Sequence, residues 1–158
     1  MPIYLENFSE ASVYCISEEE GDEIMSEFTV VVTVRQGFGN ESGYLNSIEP
    51  QVPFVGTNKT FTFQCPNVKT NEAAVLMFQA RDVDHSKNLL SINGNEIAGG
   101  IPLSPSKDTW NGNVMLIAPG VLRASNQMLV RSRNAAGGDG GDLDNFILDN
   151  VVVMYKTQ

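Results

Sequence analysis

Short runs of β-branched and aromatic residues recur along this chain, separated by clusters of glycine, proline, asparagine and aspartate. No stretch sustains the apolar spacing of an amphipathic helix. Short apolar runs bounded by turn residues are typical of β-strands joined by tight loops. The sequence therefore predicts an all-β fold, and a length of 158 residues fits a single domain over residues 1–158.

Two of the predicted strands carry the clearest patterns. The run from Phe28 to Val34 is apolar on both faces, which predicts a central strand covered on both sides. The run from Thr60 to Cys65 alternates, which predicts that Phe61, Phe63 and Cys65 are buried. The full set of predicted strands is 3–8, 12–17, 27–35, 44–48, 60–65, 73–81, 88–92, 96–98, 113–118, 127–133 and 146–155.

Three connections are recognisable from their turn residues. Asn93-Gly94 lies between apolar runs and predicts a type I′ β-hairpin, because both residues tolerate positive φ. Pro119 at the head of residues 119–123 predicts a single helical turn. The glycine-rich segment 134–142 has no large apolar residue and predicts a loop.

The charge of the chain bears on its partners. A formal charge of −9 repels nucleic acid phosphates and anionic lipid, so nucleic acid is not expected as a partner. No run approaches the roughly 20 apolar residues of a membrane span. The N-terminal residues do not match a secretory signal, which leaves the cellular compartment undetermined.

The two cysteines, Cys15 and Cys65, both lie inside apolar runs. A buried free thiol behaves as a small hydrophobic group, so we expect both to be free and buried. A disulfide between them remains the alternative, and it requires the two strands to be neighbours.

The second half of the chain resembles the galactose-binding-like jelly rolls, a β-sandwich family that includes many carbohydrate-binding modules. The likeness covers residues 73–155 and rests on Leu76–Asp84, the Ile92-Asn93-Gly94 hairpin, Trp110, Ile117-Ala118-Pro119, Leu122–Val130 and Asp144–Val153. It implies an antiparallel jelly-roll β-sandwich with its connecting loops gathered at the two ends. These motifs are architectural, so they bear on the fold more than on the function.

Catalysis has little support in the sequence. His85 is the only histidine, and no motif of a nucleophilic hydrolase or a catalytic metal site is present. A hydrolase that uses two carboxylates is the alternative, since the chain is rich in acidic residues, but the sequence identifies no such pair. We therefore expect a protein that is not an enzyme.

Calcium is the one cofactor that the acidic residues suggest, since carboxylates are its preferred ligands. The segment 82–88 alternates oxygen-bearing side chains, although a turn without an ion explains it equally. The family resemblance implies a structural calcium ion near the last strand. Its candidate ligands are Asp142, Asp144 and Asp149 with Glu10 or Glu18. A solvated acidic loop is the alternative.

Trp110, the only tryptophan, lies in a polar segment with Asp108, Asn111 and Asn113. An aromatic face beside amide and carboxylate groups is suited to stacking on a sugar ring. The other reading makes Trp110 a lid folded over the core. If a sugar binds, we expect it at Trp110 and the adjoining loops 82–88 and 134–142.

Three further residues complete the candidate sugar site. These residues are Asp84, His85 and Arg81. Arg81, Arg131 and Arg133 can pair either with a ligand carboxylate or with the acids of the chain itself, and the abundance of acids favours the second.

Two functions remain after these exclusions. The first is a non-catalytic module that binds carbohydrate through loops at one end of the sandwich. The second is a structural subunit of a homo-oligomer or larger particle. Exposed aromatic residues favour glycan binding, whereas an exposed apolar sheet face favours assembly with a protein partner.

Overall fold

A computed structural model describes residues 25–158, so the strands predicted at 3–8 and 12–17 lie outside the described residues. Ten strands and one short helix account for the regular structure of the described part. The elements are β1 (Ser26–Val32), β2 (Gln36–Phe38), α1 (Ser42–Ile48), β3 (Phe54–Gly56), β4 (Asn58–Gln64), β5 (Ala74–Arg81), β6 (Leu89–Ile92), β7 (Asn95–Glu96), β8 (Trp110–Ile117), β9 (Ser125–Arg131) and β10 (Phe146–Lys156).

The strands form two sheets. The six-stranded sheet has the order β3-β2-β10-β5-β8, and β1 also pairs with β10. The four-stranded sheet has the order β4-β9-β6-β7. All pairs are antiparallel except β2 with β3. From β4 onward the chain alternates between the sheets, apart from the β6–β7 hairpin, so the protein is an all-β sandwich as predicted.

The hydrophobic core lies between the two sheets because their strands alternate in polarity. In β5, Leu76 and Phe78 are buried, whereas Met77 and Gln79 point to the opposite, outer face. The rings of Phe38 and Phe146 stack at a centroid distance of 5.2 Å where β2 meets β10. Burying each large apolar side chain contributes about 1.5–3 kcal/mol, which makes this interior the main source of stability.

Three local predictions are confirmed, except that Phe61 is half-buried and not fully buried. In β4 the side chains alternate, with Phe63 buried, Phe61 half-buried and Thr62 exposed, and the adjoining Cys65 is buried. The Asn93-Gly94 hairpin is present, with φ values of 51° and 80° that fit a type I′ turn. Residues 134–142 form a loop, as expected from their glycines.

Two predictions about short segments are wrong. Residues 44–48 belong to α1 and not to a strand. Pro119 begins no helical turn, because the next residue, Gly120, has a φ of +84°. The Val121 N–H bonds to the Ala118 carbonyl at 3.3 Å and closes a tight turn. A proline followed by a residue with positive φ is the pattern of a type II β-turn.

The prediction of a doubly covered central strand at Phe28–Val34 is also wrong. The observed strand ends at Val32, pairs with β10 on one side only among the described residues, and exposes Phe28 and Val30. One face of β1 packs on the core through Val31, whereas the other faces outward. Its apolar character on both faces therefore does not reflect burial on both sides.

The prediction of a free, buried cysteine is confirmed for Cys65, whereas Cys15 lies outside the described residues. Burial raises the pKa of the Cys65 thiol to about 11, which keeps the reactive thiolate scarce at neutral pH.

We expect Cys65 in the folded protein to react slowly with a thiol reagent, and rapidly after denaturation. The measurement is a thiol titration of the Cys15→Ser variant with and without denaturant. Rapid stoichiometric reaction of that variant in its native state would show that Cys65 is accessible.

The one helix of residues 25–158, α1, is not long and apolar enough to cross a membrane.

Candidate functional site

A groove made of two adjoining cavities lies at the end of the sandwich where β5 ends and β8 and β10 begin. One cavity has a volume of about 220 Å³ and the other about 420 Å³. Tyr44 and Lys107 line both, so they form the wall between them. The first cavity is further lined by Glu41, Asp84, His85, Asp142, Leu143, Asp144 and Asn145, and the second by Ser47, Ile48, Arg81 and Asp108.

Tyr44 is held in this position from both sides. Its hydroxyl donates a hydrogen bond of 2.6 Å to Oδ2 of Asp82, which is fully buried directly after β5. The Lys107 ammonium lies 5.6 Å from the centre of the Tyr44 ring, within the range of a cation–π contact. The hydrogen bond to Asp82 and burial together raise the pKa of Tyr44 far above its ordinary value. The hydroxyl therefore stays protonated.

The loop 82–88 forms one wall of the groove, and Asp144 organises it. The Asp144 carboxylate accepts hydrogen bonds from the backbone N–H groups of Asp84 and His85 at 3.2 and 3.0 Å. It also accepts one from Asn88 Nδ2 at 2.5 Å. Burial raises the pKa of the Asp144 carboxyl, while these donors act in the opposite direction by favouring the ionised form.

Asn145, the residue after Asp144, holds the opposite wall of the groove. Asn145 Oδ1 accepts hydrogen bonds from the backbone N–H groups of Asn40 and Glu41, at 3.0 and 2.9 Å. These residues immediately precede α1, which carries Tyr44. Asp144 and Asn145 thus fix both walls from a single point before β10.

Trp110 lies beside the groove within a cluster of charges on the outer face of the six-stranded sheet. The guanidinium carbons of Arg35 and Arg81 lie 5.5 and 6.0 Å from the centre of its ring. Both arginines also form ion pairs with Glu49, at 2.7 Å in the case of Arg81. These contacts hold the half-buried indole on the sheet, and it does not fold over the core as a lid.

The structure brings together only part of the predicted sugar site. Asp84 and His85 line one cavity, and Arg81 and Asp108 line the other. Trp110 and Asn111 are successive residues of β8, so their side chains point to opposite faces of the sheet. Asn113 shares the inner face with Asn111, and both are therefore separated from Trp110.

The arginines pair with acids of the chain itself, as predicted. Arg81 reaches Glu49 and, at 3.8 Å, Asp108. Arg131 and Arg133 both reach Asp139, at 3.1 and 3.7 Å, which ties the loop 134–142 to the end of β9.

The described candidate ligands for calcium lie in different environments. The Asp144 carboxylate accepts hydrogen bonds from N–H groups of the loop 82–88. Oδ2 of Asp149 lies 3.4 Å from Nε of Arg35 on the outer face of the six-stranded sheet. Asp142 is exposed in the loop before β10. Within residues 25–158, no three acidic, histidine or cysteine side chains group as metal ligands. Glu10 and Glu18 lie outside the described residues, and calcium binding stays a prediction.

Sequence reasoning missed Tyr44 and Lys107, the two residues that line both cavities. Tyr44 and Ile48 are four residues apart, and Leu45 and Ile48 are three apart, which is the spacing of one helical face. The two polar residues Asn46 and Ser47, which lie between Leu45 and Ile48, argue against a buried strand. This local spacing was the signal for α1, although a segment of seven residues is too short for the periodicity to stand out.

The described residues thus define an all-β sandwich with a polar groove at one end. No family model matches the chain, and no curated protein matches it. Solved structures to which the chain is similar include the CBM35 of Paenibacillus barcinonensis, a carbohydrate-binding module. The identity is 16%, the TM-score is 0.36, and the match covers 78% of this chain and 91% of that chain.

Proposed function

We propose that this chain is a non-catalytic binding module that takes a carbohydrate into the groove around Tyr44. The observation that carries the proposal is the joining of one aromatic ring with hydrogen-bonding side chains from four separate segments. A sugar offers C–H faces to an aromatic ring and hydroxyls to polar groups, so it requires this combination. The larger cavity, about 420 Å³, falls in the size range of small-molecule sites.

The charges of the smaller cavity favour a neutral sugar over an acidic one. Glu41, Asp84 and Asp142 are exposed around the smaller cavity, where Lys107 is the only lysine or arginine in the lining. An anionic glycan would meet repulsion from these carboxylates. A neutral ligand can instead use their oxygens as hydrogen-bond acceptors for its hydroxyl groups.

Binding without catalysis agrees with the way in which the reactive groups are already used. Nδ1 of His85 lies 3.2 Å from the Arg133 carbonyl oxygen, to which it can donate. The Asp144 carboxylate accepts N–H groups of the neighbouring loop. Both groups therefore support the groove wall.

We expect Lys107→Ala and Asp84→Ala each to weaken glycan binding by about 1–3 kcal/mol, because each removes a side chain that lines the groove. Both side chains are exposed, so the melting temperature should change little. A glycan array with calcium and with a chelator identifies the ligand, and calorimetry on the best glycan measures the losses.

Two control variants keep this test specific. Lys59→Ala removes a lysine from β4, and glycan affinity should not change. Trp110→Ala removes the aromatic ring outside the groove, and its effect should be smaller than that of Lys107→Ala. Loss of binding in Trp110→Ala alone would move the site to the tryptophan, and a folded protein that binds no glycan on the array would refute the proposal.

A further inference from the structure

Part of the outer face of the six-stranded sheet is apolar and exposed. Four neighbouring strands, β1, β10, β5 and β8, present apolar side chains there. The exposed members are Phe28, Val30, Met77, Val114, Leu116 and Met154. The half-buried Val75 and Val152 complete the set, which we call the apolar face.

The strand register places these side chains in two straight rows. Phe28 pairs with Met154, which pairs with Val75, which pairs with Leu116. The second row begins at Val30 and ends at Val114, through Val152 and Met77. Residues directly opposite in a ladder share a face, so the eight side chains form one continuous surface across the sheet.

The side chains of the apolar face are largely exposed to solvent and do not belong to the hydrophobic core. Phe28 is 65% exposed, Leu116 is 68% exposed and Val114 is 72% exposed. Isolated exposed aliphatic residues are normal, whereas a contiguous patch with a polar rim marks an interaction site. Gln79 and Asn150 form the rim on one side, joined by a hydrogen bond of 2.8 Å.

The charges around the apolar face allow another copy of the same chain to approach it. None of the eight positions carries a charge, although the chain as a whole has a formal charge of −9. The nearest charged rim residue in the ladder is Lys156, whose ammonium lies 3.5 Å from a Glu72 carboxylate oxygen. Two copies that meet through this surface therefore bring no like charges of these eight positions together.

The dimensions fit the centre of a dimer interface. Strand spacing and residue rise give the two rows a flat projection of about 19 by 14 Å, or roughly 270 Å². A standard-size protein–protein interface buries about 800 Å² on each partner, with an apolar centre surrounded by a polar rim. The apolar face supplies such a centre, and the rest of the same sheet face supplies the rim.

We infer that a second copy of this chain covers the apolar face, and that the protein is a dimer joined through its six-stranded sheets. A twofold contact brings the same surface of each copy together, so one uncharged apolar surface is sufficient for both. The groove around Tyr44 lies at the end of the sandwich, and each copy keeps its own groove. The inference is therefore independent of the proposed carbohydrate binding.

Light scattering over a range of concentrations tests the inference on the full chain. We expect twice the chain mass for the wild type and a single chain mass for Val114→Glu and for Leu116→Glu. Each charged substitution within the apolar face should raise the dissociation constant at least about 30-fold. Thr62→Glu, at an exposed position of β4 in the other sheet, is the matched control and should remain a dimer.

A crosslinking experiment separates a second copy from another occupant, the chain's own N-terminal residues. Met77→Cys places a thiol near the centre of the apolar face, and Cys15 is the natural thiol of residues 1–24. With a short bis-maleimide reagent, we expect a link between the introduced thiols of two chains. A link within one chain to Cys15, or a wild type that scatters as a single chain throughout, would overturn the inference.

Discussion

Replacing Asp144 by alanine is expected to destabilise the folded protein by about 2–4 kcal/mol. The substitution leaves the N–H groups of Asp84 and His85 and the side-chain amide of Asn88 without their acceptor. Asn88 is almost completely buried, so water cannot readily replace the carboxylate. The raised pKa of Asp144 reflects the cost of burying its charge, and removing that cost offsets part of the loss.

Chemical denaturation of the Asp144→Ala variant measures this loss directly. Asp142→Ala is the matched control, because it removes an exposed aspartate two residues away and should change stability by less than about 0.5 kcal/mol. Equal stability of the two variants would show that Asp144 does not hold the loop 82–88. Such a result would also leave Asp144 free to act as a calcium ligand, as the family resemblance implies.

The parts of the fold that could be predicted from the sequence are those in which local chemistry decides the structure. Asn93-Gly94 forms the expected hairpin because few other dipeptides adopt two consecutive positive φ values. The alternating residues of β4 bury Phe63 because only one face of this strand meets the core. In both cases the residues that determine the structure are adjacent in sequence.

Other features depend on residues that are distant in sequence. Asp144 reads as a cation ligand in a run of aspartates, and only the folded chain shows that the loop 82–88 supplies three donors to it. Phe28 and Val30 look buried because they are apolar. Their exposure follows from the position of β1 beside β10, which no local pattern reveals.

The candidate sugar site was predicted partly because a strand boundary was misplaced. The predicted strand began at residue 113, which left Trp110 and Asn111 in a loop where both could face one ligand. The observed strand begins at Trp110, and its alternation separates the two side chains. Asp84 and His85, which lie in a true loop, do line the groove.

The second large effect is expected at Gly39, just after β2. Its φ of +131° lies in a region that residues with a side chain rarely adopt. A Cβ atom there would approach the backbone oxygen of Asp144 to 2.8 Å and Cγ of Asn145 to 2.7 Å. Neither neighbour can easily move, since Asn145 holds the backbone of Asn40 and Glu41.

Gly39→Ala should therefore reduce the free energy of unfolding by about 3–5 kcal/mol, through backbone strain and the loss of the Asn145 hydrogen bonds. It should also weaken glycan binding beyond the effect of Lys107→Ala, because Asn145 positions the segment that leads into α1 and Tyr44. Gly43→Ala is the matched control: a Cβ there meets no atom within 4 Å, and alanine in α1 should stabilise the protein by up to about 1 kcal/mol. Denaturation curves of the two variants, followed by calorimetry with the best glycan, test both effects. If Gly39→Ala were as stable as the wild type, the close contact between residue 39 and Asn145 would not exist, and the wall that carries Tyr44 would be held by something else.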